Sequence, residues 1–155
     1  MKTVNQKHRS VRFIDILTFM CCLTLNVFGQ NKSIKPEDPF AVESYYKTRW
    51  GKADEFIRLY KKNHYPLLKK ALEHGDILKI TAESPRLHAS EDSRWDFRVT
   101  IVFKNIQAAY DENLLLPYKK ELFPDIDKLT KEEQLRFELL IAHWDITPSI
   151  VNLDN

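Results

Sequence analysis

The chain has 155 residues, 43% of them hydrophobic and 30% charged, with 24 Lys and Arg against 22 Asp and Glu. That is enough for one domain with one core, and a net charge of +2 supplies no field for nucleic acid or an anionic membrane. Three glycines in the whole chain exclude Gly-rich phosphate loops and dinucleotide fingerprints.

Residues 1–29 have the parts of a secretory signal peptide. Lys2, Lys7, Arg9 and Arg12 form a positive start, and an apolar run follows from Phe13 to Phe28. Val27 and Gly29 supply small-residue cleavage positions before Gln30. The run is shorter than the roughly 20 residues of a spanning helix, and Asp15 interrupts it. Export to the periplasm or the exterior is expected, with no stable membrane insertion once the leader is cut. Cleavage leaves 126 residues and removes four basic residues and one acidic one, so the mature net charge is −1. Cys21 and Cys22 leave with the leader. The mature chain then has no thiol for a disulfide, a metal or a nucleophile.

Residues 30–39 are polar, with Pro36 and Pro39, and read as a flexible spacer. A single domain over 40–150 and a tail over 151–155 complete the organisation. Val42 to Trp50 alternates as a first strand, with Val42, Ser44, Tyr46 and Trp50 on one face. Gly51 ends it. From Ala53 to His74, Phe56, Ile57, Tyr60, His64, Leu67, Leu68 and Ala71 recur at helical spacing. Pro66 predicts a kink in that helix or two abutting helices, and Gly75 a stop. Ile77 to Ser84 is a second strand. Trp95 to Phe103 is a third, with Trp95, Phe97, Val99, Ile101 and Phe103 on one face. Residues 85–94 between them form a polar hairpin tip carrying His88.

Asn105 is placed to cap a second helical region, which Pro117 and Pro124 break. Thr130 and Glu133 have capping-box spacing for a last helix. Ala142 to Thr147 alternates as a final strand, with Trp144 predicted inward and His143 with Asp145 outward. The order β-α-β-β-α-β predicts an α+β fold of the ferredoxin-like type. It has an antiparallel four-stranded sheet, helices on one face, and a second helical region broken by prolines.

A Tyr-rich strand, Trp50-Gly51-Lys52-Ala53-Asp54-Glu55-Phe56 opening a helix, Tyr65-Pro66-Leu67-Leu68, and Gly75 before a strand form a recognisable series. With the aromatic alternation of Trp95 to Phe103 it resembles the dimeric α+β-barrel superfamily. That group holds antibiotic-biosynthesis monooxygenases, NIPSNAP-type proteins and EthD-like proteins. The resemblance implies a homodimer packed through the sheets and a ligand cleft between sheet and helices. The constellation of the haem-degrading members is not carried over to Asn63, His64 and Trp95.

Histidine and aromatic side chains carry the candidate chemistry. His64, on the apolar stripe, is a candidate general base, or equally a core histidine with a hydrogen-bond partner. Tyr46, Tyr60, His64, Trp95 and Trp144 are the candidate ligand-binding residues. Three histidines without short helical spacing predict no metal site. No cofactor is expected, with haem and flavin left open. The leading expectation is an exported small-ligand-binding protein. The alternatives are a cofactor-independent oxygenase or isomerase with His64 as base, and a structural or partner-binding module without a ligand.

Overall fold

The strict alternation of buried and half-buried residues from Phe97 to Phe103 marks the strand around which the sheet is built. The computed structural model describes residues 35–87, 89–149, 151 and 153. The expected leader, the first half of the spacer and His88 lie outside them. The elements in chain order are β1 (Phe40–Thr48), α1 (Ala53–Leu59), a π turn (Tyr60–His64), α2 (Tyr65–Glu73), β2 (Ile77–Glu83), β3 (Phe97–Phe103), α3 (Ile106–Tyr110), α4 (Leu116–Leu122), α5 (Ile126–Glu138) and β4 (Leu140–Ile146). The strands form one antiparallel sheet in the order β2-β3-β1-β4. This is the split βαβ arrangement expected from the sequence. The helices cover one face, so the fold is α+β and ferredoxin-like.

Register decides which side chains share a face. Ser44 pairs with Val99 and Tyr46 with Phe97 on β3, while Ala82 pairs with Val99 on β2. Directly opposed residues point the same way. The inner face is therefore Ser44, Tyr46, Phe97, Val99, Ile101 and their neighbours. It packs against Phe56, Leu59, Tyr60, Leu67, Leu68 and Ala71, all buried. Tyr46, Phe56, Tyr60 and Phe97 form an aromatic knot with ring centroids 5.0–6.2 Å apart.

At Pro66 the first helical region is divided into α1 and α2, which abut through the π turn. The proline sits in the first turn of α2, where its missing N–H matters least. The turn before it widens into a π turn, with Tyr65 N–H donating to the Tyr60 carbonyl five residues back. A proline in a helix crowds the carbonyl four residues before it; one inserted residue relieves that crowding and lets the helix run on. The helix ends at Gly75, whose φ of 82° is the left-handed conformation open to glycine.

The second helical region is broken as expected. Asn105 caps α3 by accepting from Ala108 N–H at 2.8 Å, and Pro117 opens α4. The last helix begins earlier than its expected capping box. Asp125 is the cap, accepting from Lys128 N–H at 2.9 Å, and Thr130 lies inside α5.

Two expected facings are inverted. Trp95 does not share a face with Phe97. Asp96 is turned inward to accept from Thr48 N–H at 2.7 Å and from Thr48 Oγ1 at 3.0 Å, and Arg94 adds a third donor. The pleat therefore slips by one residue before Phe97, and a slip of one changes face. Trp95 turns outward, against Tyr45 and Arg98. Trp144 is outward too. Its strand enters with Leu140 opposite Thr48, and a bulge follows at Ile141. The extra residue reverses the alternation. His143 then faces inward opposite Tyr46, and Trp144 faces outward opposite Tyr45.

Candidate functional site

The candidate residues fall into two groups on opposite faces of the sheet. The inner group starts at the π turn, which brings Tyr60 over the sheet and His64 beside it, with ring centroids 5.0 Å apart. Tyr46 rises from β1 to meet Tyr60 at 5.8 Å, edge to face. On the other side Tyr46 stacks flat on His143 at 4.5 Å. The last turn of α5 contributes Arg136, whose guanidinium carbon lies 5.5 Å from the Tyr60 ring centre. Burial and the nearby Arg136, His143 and Lys119 push His64 down to about 4. The imidazole is neutral at pH 7, and so weakly basic that it is a poor match to proton abstraction there. Burial pushes the Tyr46 and Tyr60 phenols up, so both stay protonated donors.

A cleft of about 520 Å³ opens between the π turn and the β2–β3 side of the sheet. Tyr60, Tyr65, Ile80, Ala82, Phe97 and Val99 line it, and Lys61 stands at its edge. The size falls within the usual range for small-molecule sites, and the mainly apolar wall with a phenol and an ammonium is the common composition of such sites. Phe97 and Val99 supply an almost fully buried floor, while Lys61 and Tyr65 are exposed at the mouth.

Of the five ligand-binding candidates, only Tyr60 lines this cleft. Tyr46 and His64 lie in the same aromatic neighbourhood but not on its wall. Trp95 and Trp144 are on the far side of the sheet and share no site with His64, because of the pleat slip and the bulge described above. Arg136 was not singled out from the sequence, and Asn63 entered there only as a position to which the haem-degrading constellation was not carried over. Asn63 is 1% exposed and donates to Glu132 Oε2 at 2.9 Å, tying the π turn to α5. No sequence signal marks Arg136, which stands among Lys131, Glu132, Glu133 and Glu138 in a charged helix. Among the described residues no group of three histidine or carboxylate side chains converges as a metal site.

The outer group is Tyr45, Trp95 and Trp144. Tyr45 lies parallel to Trp144 at 5.4 Å and edge-on to Trp95 at 5.8 Å. Arg98 lies over both Tyr45 and Trp95; it donates to Tyr45 Oη at 3.2 Å and pairs with Glu83. Trp144 and Ile146 remain 39% and 44% exposed, an apolar patch rimmed by charge.

No protein-family model and no curated protein matches the chain. Solved structures do match in fold. A dimeric ferredoxin-like protein from an uncultured marine organism is 8% identical, with 76% of this chain and 91% of that one covered and a TM-score of 0.50. A dimeric protein of unknown function and ferredoxin-like fold from Bacteroides fragilis is 9% identical, covering 76% and 99%, with a TM-score of 0.42. A NIPSNAP domain protein from Burkholderia xenovorans is 10% identical, covering 76% and 98%, with a TM-score of 0.40. The chain thus has a ferredoxin-like fold. Fold at this identity carries no activity with it.

Proposed function

We propose that this protein is an exported small-ligand-binding protein whose ligand occupies the cleft beside the π turn. The observation that carries the reading is the cleft itself: about 520 Å³, floored by Phe97 and Val99 and edged by Tyr60. A π turn is often found at a functional position in a helix, and this one supplies two of the lining residues, Tyr60 and Lys61. The leader-like residues 1–29 support export to the periplasm or exterior, with 40–150 as the single domain. We read the aromatic patch of Tyr45, Trp95 and Trp144 as the seat of a second copy of the chain. Its exposed apolar area supports that, as does the description of the marine relative as dimeric.

The test uses 2-naphthamide, a neutral bicyclic probe, followed by ligand-observed NMR with the purified protein. Binding is expected, and Ala82→Phe, which fills the cleft from β2, is expected to abolish it while leaving the melting temperature within a few degrees. Binding that survives Ala82→Phe would overturn the assignment of the cleft.

A further inference from the structure

Arg136 is a buried charge without a counter-charge. Its residue is 6% exposed, and its Nε is buried with no hydrogen-bond partner. The rings of Tyr60 and Phe137 lie 5.5 and 5.1 Å from its guanidinium carbon. The carboxylates of the neighbourhood are engaged elsewhere. Glu133 pairs with Lys119 at 2.8 Å. Glu132 accepts from Lys62 at 2.6 Å and from Asn63 at 2.9 Å. Asp145 is half exposed and sits 3.3 Å from His143. Among the described residues none pairs with Arg136. The hydroxyl of Tyr60, on a residue 2% exposed, is buried as well, with the Tyr46 hydroxyl as its polar neighbour and no charged acceptor.

A buried cation over a buried phenol with no anion to balance it is unusual. Buried polar groups are normally bonded, and buried cations are normally paired. Both groups are held by packing, Tyr60 within the aromatic knot and Arg136 in the last turn of α5. The arrangement is preorganised for an acceptor that the chain does not supply. Tyr60 belongs both to this pair and to the cleft wall.

We propose that Arg136 and the Tyr60 hydroxyl form the head-group site of the cleft's ligand, and that this ligand is a carboxylate with an apolar body. The inference rests on the ligand-binding reading above and names the chemical class of that ligand. Charge selects a carboxylate over a phosphate. Lys119 is neutralised by Glu133, His64 is uncharged at pH 7 and Lys61 stands in water at the mouth, so among the described residues Arg136 is the buried cation here without a counter-charge. A monoanion balances it, whereas a phosphate dianion would bring a second buried charge with no partner. The planar guanidinium fork also matches the two oxygens of a carboxylate. The apolar body lies along Phe97, Val99 and Ile80.

The experiment compares 2-naphthoate with its neutral twin 2-naphthamide, with inorganic phosphate as competitor, by titration and thermal melting of the whole protein. The wild type is expected to bind the naphthoate about tenfold more tightly than the amide, the gain of a charge-assisted bond over a neutral one. Phosphate is expected not to compete. Arg136→Met is expected to bind both twins equally, and without ligand to melt no lower than the wild type, because it removes an unpaired buried charge. Tyr60→Phe keeps the ring and loses the hydroxyl; it is expected to reduce the preference severalfold, and it stands in if Arg136→Met does not fold. Equal affinities in the wild type, or a preference that survives both substitutions, would overturn the inference and leave the cleft reading intact. Phosphate competing as well as naphthoate would overturn the carboxylate assignment. Binding of neither twin removes the cleft reading, and this inference with it.

Discussion

The two faces of the sheet use aromatic residues in opposite ways. On the inner face Tyr46, Phe56, Tyr60 and Phe97 are buried and contact one another from β1, the first helix and β3. On the outer face Tyr45 meets Trp95 and Trp144, and all three stay partly in water, under Arg98 and the carboxylates of Glu43 and Glu83. Adjacent residues of one strand, Tyr45 and Tyr46, thus take different roles. The inner ring is held by packing on all sides. The outer ring is held from the sheet side and by polar contacts, which leaves its free surface available for association.

Substitutions separate these roles. The largest effect is expected at Phe56, 1% exposed at the centre of the knot. Phe56→Ala is expected to cost about 3–5 kcal/mol in urea unfolding, the range for a truncated buried ring. A loss below about 1 kcal/mol would remove the distinction between the faces.

Acid is expected to act on the inner face next. His64 is pushed down to about 4 by burial first, then by Arg136 on α5, His143 on β4 and Lys119 on α4. The unfolded chain, with His64 at its ordinary value near 6.5, binds a proton that the folded chain refuses. Stability should therefore be full above about pH 6.5, fall as pH drops towards 4, and lose up to about 3 kcal/mol from this residue by then. Denaturation curves at pH 7.5 and 5.0 measure the drop. His64→Gln should flatten it, and an equal drop in that variant would assign the effect to other groups.

Arg94 tests the polar seam between the faces. It donates to Glu91 and to the Thr48 carbonyl, and Trp50 stacks on it at 4.3 Å. Arg94→Leu should cost about 2 kcal/mol through the acceptors it abandons. It should also free the pleat that turns Trp95 outward, visible as a change in Trp95 fluorescence in a chain where Trp50 and Trp144 are replaced by Phe. The smallest effect on stability is expected at the outer patch. Trp144→Ala should cost about 1 kcal/mol at high dilution, and should move the size-exclusion peak of a concentrated sample toward the monomer. A peak that does not move would leave the outer face without a partner.

Periodicity made the architecture legible. The 3.6-residue stripe from Phe56 to Ala71 and the period-2 runs through Tyr46 and Phe97 to Phe103 reported burial directly, so element order and sheet class followed. The same rule misplaced Trp95 and Trp144, because alternation holds only while the pleat is unbroken. Asp96 reaching Thr48 and the extra residue at Ile141 break it, and each depends on a partner far away in sequence. The site was half legible for the same reason. Tyr60 stood out on the stripe, whereas Arg136 resembled any surface arginine of a polar helix. Its burial depends on where α5 lies against the π turn.

The sequence by itself determined the ferredoxin-like order of strands and helices, the broken second helical region, and a chemistry built on aromatics, histidine and charge. Local period, capping residues and prolines act within a few positions of each other and need no tertiary partner. Only the tertiary structure decided which face each tryptophan occupies, that Pro66 is absorbed by a π turn, and that a buried arginine without a carboxylate lies over the ring of a buried phenol. Those outcomes rest on register and on the docking of one helix against another, which join residues that the chain keeps far apart.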